Sequence, residues 1–133
     1  MSQESNKAVI KKFYELITQG EDMRAAELLA DDLVWKEIAA TRPMMLSKAQ
    51  VLHGFGRLRA GFVDGKLRMT PHAFIAEGDK VAVEFESYAQ TKAGKTYNNK
   101  YHAVWEFRGG KVHEVRSYSD TAHAMAVIMI QPE

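Results

Sequence analysis

Residues 78–120 read GDKVAVEFESYAQTKAGKTYNNKYHAVWEFRGGKVHEVRSYSD, and they divide into three consecutive long strands. Lys80 to Gln90, Thr96 to Arg108 and Lys111 to Asp120 are rich in aromatic and β-branched residues. Lys92-Ala93-Gly94-Lys95 and Gly109-Gly110 separate them. A Gly-Gly pair between two such runs favours a two-residue hairpin, because both turn positions take positive φ at little steric cost. The strands exceed the usual length of about five or six residues. Long antiparallel strands bend, and a bent meander needs helices to fill its hollow side.

The first half of the chain supplies those helices. Ser5 is placed to cap a first helix in which Val9, Ile10, Phe13, Leu16 and Ile17 recur at the spacing of one buried face. Gly20 ends it. Asp22 starts a short second helix with Ala26 and Leu29 inward, finishing at Asp31-Asp32. Leu33 to Ile38 reads as a first strand, and Ala39 to Leu46, with Pro43, as a loop. Ser47-x-x-Gln50 is a capping box. It opens a third helix with the stripe Val51, Leu52, Phe55, Leu58 and Phe62, weakened locally by Gly54 and Gly56, where close packing or a ligand's approach is expected. Asp64-Gly65 is a turn, and Leu67 to Ala76 is a strand whose Pro71 marks an edge or a bulge. Gly78-Asp79 turns into the meander, and Thr121 to Ile130 closes the chain as a short apolar helix. The order α-α-β-α-β-β-β-β-α predicts an α+β domain spanning residues 1–133, a strongly curved antiparallel sheet covered by helices, with a cavity between them.

Composition narrows the function. At 133 residues the chain is long enough for one hydrophobic core. Its 18 basic and 17 acidic residues leave a net charge of +1 with no basic block, which argues against a nucleic-acid partner. The lack of cysteine excludes disulfides, thiolate catalysis and Cys-bound metals. His53, His102, His113 and His123 show no metal-ligand spacing, so neither metal nor cofactor is expected. No run approaches the roughly 18 apolar residues of a membrane span, and MSQESNK lacks the apolar core of a signal peptide, so a cytoplasmic location is expected.

Four stretches carry a family resemblance: Leu29-Ala30-Asp31-Asp32-Leu33-Val34-Trp35, Gly78-Asp79-Lys80-Val81-Ala82-Val83-Glu84, Tyr97-Asn98-Asn99-Lys100-Tyr101, and Gly110-Lys111-Val112 running on to Arg116-Ser117-Tyr118-Ser119-Asp120-Thr121. They resemble the proteins with the fold of nuclear transport factor 2 (NTF2), and within them the SnoaL-like and ketosteroid-isomerase-like proteins. That fold hosts isomerases, cyclases, hydrolases, dehydratases and binding proteins. In the isomerases a first-strand carboxylate moves a proton, while a Tyr of the first helix and a protonated acid of a later strand hold the oxyanion. By position the resemblance puts the base on Glu37, the Tyr on Phe13 beside Tyr14, and the acid on Ala103, so the base survives and the paired oxyanion donors do not. The final-strand Asp of limonene epoxide hydrolases would fall near Ser117, and the acid of SnoaL-type cyclases nearest Asp120.

Alternation then assigns faces. If Ala103 points inward, as the resemblance implies, Asn99, Tyr101, Trp105 and Phe107 do too. A plain globular domain would turn the apolar set Val81, Val83 and Phe85 to the core, whereas matching Gly78 onward to the isomerase pattern turns Ala82, Glu84, Glu86 and Tyr88 inward. Val81, Val83 and Phe85 are then left on the outer face, and an exposed apolar face predicts a homodimer through the sheet. On this reading Glu37 and Glu84 share one cavity and one proton. Asn99 and Tyr101 orient a carbonyl or hydroxyl, Trp35 and Trp105 offer a ring to stack on, and His72 is a second proton carrier. Met44 and Met45 line the mouth. For the last strand, either Ser117 and Ser119 or Arg116, Tyr118 and Asp120 face the cavity. The expected partner is a small apolar or cyclic organic ligand. The expected activity is cofactor-independent proton transfer of the isomerase or cyclase type, with a non-catalytic ligand-binding or dimerisation module as the alternative.

Overall fold

A computed structural model describes residues 2–39 and 43–128. The meander folds as its turn signals dictate. Strands β3 (Arg68–Glu77), β4 (Lys80–Gln90), β6 (Lys100–Arg108) and β7 (Lys111–Ser119) pair antiparallel, with a two-residue β5 (Thr96–Tyr97) beside β4. Gly109 and Gly110 take φ of 58° and 80°, the left-handed pair that a tight hairpin requires. The expected unbroken strand from Thr96 is split at Asn98-Asn99, where the Asn99 carbonyl still accepts from the Ser87 N–H.

One feature of the sheet differs from the expected antiparallel meander. β1 (Leu29–Glu37) lies parallel to β7, giving the mixed order β2-β1-β7-β6-β4-β3, with β2 (Met44–Leu46) an outer ribbon inside the expected loop. Leu29 opposite Val112 extends β1 four residues earlier than the pattern showed and cuts the second helix, α2, to Asp22–Ala26. Register shifts at Pro71/Ala73 and Glu106/Phe107 mark the bulges of a curled sheet, and Pro71 sits on the edge strand as expected.

Helices fill the concave side. α1 (Gln3–Thr18) starts three residues before the expected point. Ser2 is the cap and Ser5 completes the box by reaching back to the Ser2 N–H. Its buried face sends Ile10, Phe13 and Tyr14 against Trp105, whose ring lies 5.2 Å from that of Phe13. α3 (Lys48–Ala60) carries the Ser47/Gln50 capping box read from the sequence. Arg59 binds Asp22 at 2.5 Å and the Ile17 carbonyl at 2.6 Å, tying α3 to α1 and α2. α4 (Thr121–Val127) is capped by the Asp120 carboxylate, which accepts from the His123 N–H; Ile130 lies outside the described residues.

The face assignment of β4 is corrected by its register. Val81 stands opposite Trp105, Val83 opposite Ala103 and Phe85 opposite Tyr101. Residues directly opposed across a ladder share a face, and Trp105 and Ala103 are fully buried. Val81, Val83 and Phe85 therefore point into the core, while Glu84, opposite His102, is exposed on the convex face. A one-residue offset in matching β4 had turned the whole strand over.

The convex face is mixed, with ion pairs beside exposed Ile75, Tyr88 and Tyr118. Glu86 meets Lys100 at 2.7 Å, Asn98 at 2.8 Å and His72 at 2.6 Å, and these contacts, led by Lys100, hold its carboxyl down to about 2. Arg116 bridges Glu106 and Glu114. The Val81, Val83 and Phe85 set from which a dimer through the sheet was expected lies inside the core instead.

Candidate functional site

A cavity of about 330 Å³ opens between the concave sheet, α3 and α4. Its walls are mainly hydrocarbon and aromatic, contributed by Trp35, Leu46, Val51, Phe55, Leu58 and Phe85 among others. Gly54, one of the two glycines that weaken α3, borders the cavity, and a Cβ built there would meet nothing within 4 Å. α4 closes one side with Thr121, Ala124, Met125 and Ile128.

Glu37 is the acidic side chain among the described lining residues. It is the last residue of β1, level with Ser117 of β7, so the parallel pairing brings the first and last strands to one wall. The indole N–H of Trp35, two residues back on the same strand face, donates to Glu37 Oε1 at 2.7 Å. Burial raises the carboxyl pKa above its ordinary value, and the Trp35 bond opposes part of that rise.

Across the cavity lies a set of hydroxyls. Tyr97 and Tyr101 both line the wall with oxygens 2.7 Å apart, and Tyr101 lies 2.9 Å from Ser87 Oγ. Burial holds both phenols above their ordinary pKa, so each stays a neutral O–H at physiological pH. Tyr14 adds a third phenol to the lining. Its buried hydroxyl lies beside the Trp105 indole and completes no hydrogen bond among the described residues, and burial holds its pKa well above the ordinary value, with a further upward push from the Glu37 carboxylate and a downward one from Trp105.

Of the residues singled out from the sequence, Glu37, Trp35, Tyr101 and Ser117 meet at this cavity. Ser119 joins them, which decides the face of β7; Arg116 goes to the convex side and Asp120 to the cap of α4. Asn99 is buried one layer behind, its Nδ2 donating to the Tyr97 hydroxyl at 3.1 Å. Glu84, His72 and Tyr88 are excluded. All three are exposed: His72 binds Glu86, and Tyr88 lies under the Arg68 guanidinium. The shared proton between Glu37 and Glu84 therefore does not exist. Trp105 packs in the core rather than on the cavity, and Met44 but not Met45 borders it.

Tyr14, Tyr97 and Ser87 were missed. Ser87 continues the alternation Val81-Val83-Phe85 and would have followed from the correct face of β4. Tyr97 precedes Asn99 and Tyr101 at the same two-residue spacing, and only the break at Asn98 hid it. Phe13 and Ala103, at the oxyanion-donor positions of the isomerases, are wholly buried in apolar packing. Among the described residues no three His, Asp or Glu side chains converge as a metal site.

A curled sheet under helices, with a half-open and mainly apolar cavity between them, is the NTF2-like fold. The chain belongs to the SnoaL-like domain family, whose model matches residues 10–115. Solved structures agree with this fold at low identity. An NTF2-like protein of unknown function from Burkholderia pseudomallei is 19% identical, with 98% of this chain and 100% of that one covered and a TM-score of 0.80. IdmH from Streptomyces antibioticus, a candidate polyketide cyclase, is 20% identical over 91% of this chain and 96% of its own, at 0.76. TerC, co-crystallised with polyporic acid, is 18% identical over 93% and 98%, at 0.78. No curated protein matches the chain by sequence.

Proposed function

We propose that the protein moves a proton at the carbon next to the carbonyl of a small apolar, ring-shaped compound, with Glu37 as the base. The observation that carries this reading is a half-buried carboxylate of raised pKa, the one acidic group among the described residues that line a mainly apolar cavity. A carboxyl lifted toward neutrality is a better base than one in water, and an apolar wall excludes competing solvent. Trp35 occupies one carboxylate oxygen and leaves the other for the substrate. The similarity to IdmH, a candidate polyketide cyclase, and to TerC, seen with polyporic acid, fits a ring-sized organic ligand.

The bicyclic ketone 2-tetralone, whose α-hydrogens exchange measurably in D2O, provides the test. Deuterium uptake followed by mass spectrometry is expected to exceed the buffer rate and to fall on the order of 10²–10⁴-fold in Glu37→Gln, with binding retained. Equal uptake in wild type and Glu37→Gln removes Glu37 as the base. A second reading, ligand binding without catalysis, is favoured by the apolar Phe13 and Ala103 where the isomerases keep their oxyanion donors. It predicts 2-tetralone bound with uptake no faster than buffer.

A further inference from the structure

The hydroxyl set opposite Glu37 can be counted hydrogen by hydrogen. Asn99 feeds both of its ends: Nδ2 donates to the Tyr97 hydroxyl at 3.1 Å, and the backbone N–H donates to Ser87 Oγ at 3.3 Å. Asn99 takes nothing back from the hydroxyls; its Oδ1 accepts from the Lys100 N–H at 2.9 Å. Between these ends stand three hydroxyls and two hydroxyl–hydroxyl contacts, Tyr97 to Tyr101 and Tyr101 to Ser87. Each contact consumes one hydrogen, so one of the three is left over.

Its place follows from burial. Ser87 is fully buried and does not border the cavity; its hydroxyl bonds Tyr101, and Tyr97 is its other hydroxyl neighbour among the described residues. A spare hydrogen on Ser87 would be a buried unpaired donor, costing about 1–3 kcal/mol. Tyr97 and Tyr101 both border the cavity. The favoured arrangement runs from Ser87 into Tyr101, and the free O–H ends on one of the two phenols.

We propose that Tyr97 and Tyr101 together form the oxygen-binding end of the cavity, presenting one shared hydrogen to a carbonyl oxygen of the ligand, with Ser87 and Asn99 as positioning residues behind them. This rests on the carbonyl ligand of the preceding reading and names its selectivity: the position takes an acceptor and gives nothing to a group that only donates. It moves the oxygen site to β5 and β6, away from Phe13 and Ala103. Negative charge gathering on the ligand oxygen would polarise the whole chain of hydroxyls toward it.

The count also makes the site redundant. In Tyr97→Phe, Ser87 still donates to Tyr101, which keeps a free hydrogen; in Tyr101→Phe, Tyr97 keeps its own. Loss requires both.

Binding and the carbonyl infrared band of ¹³C-labelled 2-tetralone test this, with tetralin, the same skeleton without oxygen, as reference. Wild type is expected to bind the ketone roughly tenfold more tightly than tetralin and to shift its band to lower frequency. Each single variant keeps most of the preference and the shift, and Tyr97→Phe/Tyr101→Phe loses both. Equal binding of the two probes or an unshifted band in wild type overturns the proposal without any variant. A double variant that keeps the shift also overturns it, as does loss of the shift in Tyr14→Phe alone, which would move the site to Tyr14. Glu37→Gln separates the two readings, since it is expected to abolish deuterium uptake while leaving band and preference in place.

Discussion

Trp35 governs the ionisation of Glu37 from the same strand face. Its N–H bond favours the carboxylate against the effect of burial, so Trp35→Phe lets the pKa climb further. The rising limb of the pH–rate profile for deuterium uptake is expected to move to higher pH in that variant. The same residue bears on stability with a definite sign. A carboxyl whose pKa is raised by folding contributes no penalty while neutral, below its unfolded pKa, and withdraws stability as pH rises through the folded value. Glu37→Gln is therefore expected to melt at a higher temperature than wild type at pH 7.5, the two converging near about pH 4. A lower melting temperature for the variant at pH 7.5 would show that Glu37 contributes bonds the geometry does not contain.

Among the elements, α3 and β4 show what local pattern conveys and what it leaves open. The α3 start was legible because Ser47 and Gln50 satisfy each other's backbone within four residues, with no help from the rest of the chain. Ser47→Ala is expected to cost about 1 kcal/mol in urea unfolding. β4 was legible as a strand, yet its face depended on which residue of β6 stood opposite, and alternation is silent about that. The ends of β1 and the existence of β2 were hidden for a related reason. Leu29-Ala30-Asp31-Asp32 carries no alternation of its own, and Leu29 joins β7 opposite Val112 ahead of a register shift that runs to Val34. The β4 register has a direct check. Val83→Glu puts a charge among Trp105, Ala103 and Phe85 and is expected to prevent folding, whereas Glu84→Gln changes deuterium uptake and stability little. Reversed outcomes would restore the opposite face.

For the molecule as a whole, the curled sheet and its helical cover were readable because helices followed by long bent strands have few ways to bury their apolar faces. Part of the site came with them: Glu37, Trp35 and Tyr101 sit on the cavity faces expected for their strands, whereas alternation left the face of Ser117 open until β7 was placed. The remainder depended on contacts between distant segments, as in the Tyr97–Ser87 chain and the exclusion of Glu84. Trp105, touched by Phe13, Tyr14 and Trp35 at once, joins these parts. Trp105→Ala is expected to cost about 3–5 kcal/mol in denaturant unfolding and to loosen the cavity wall.

The parallel seam between β1 and β7 carries one more implication, for the order of events during synthesis. Glu37 leaves the ribosome well before its neighbour Ser117. Until Lys111 onward emerges, one side of β1 has no strand to pair with and stays open to other nascent chains. The chemistry thus becomes available only when translation of the final strand is done, and half-made copies are the ones most exposed to mispairing.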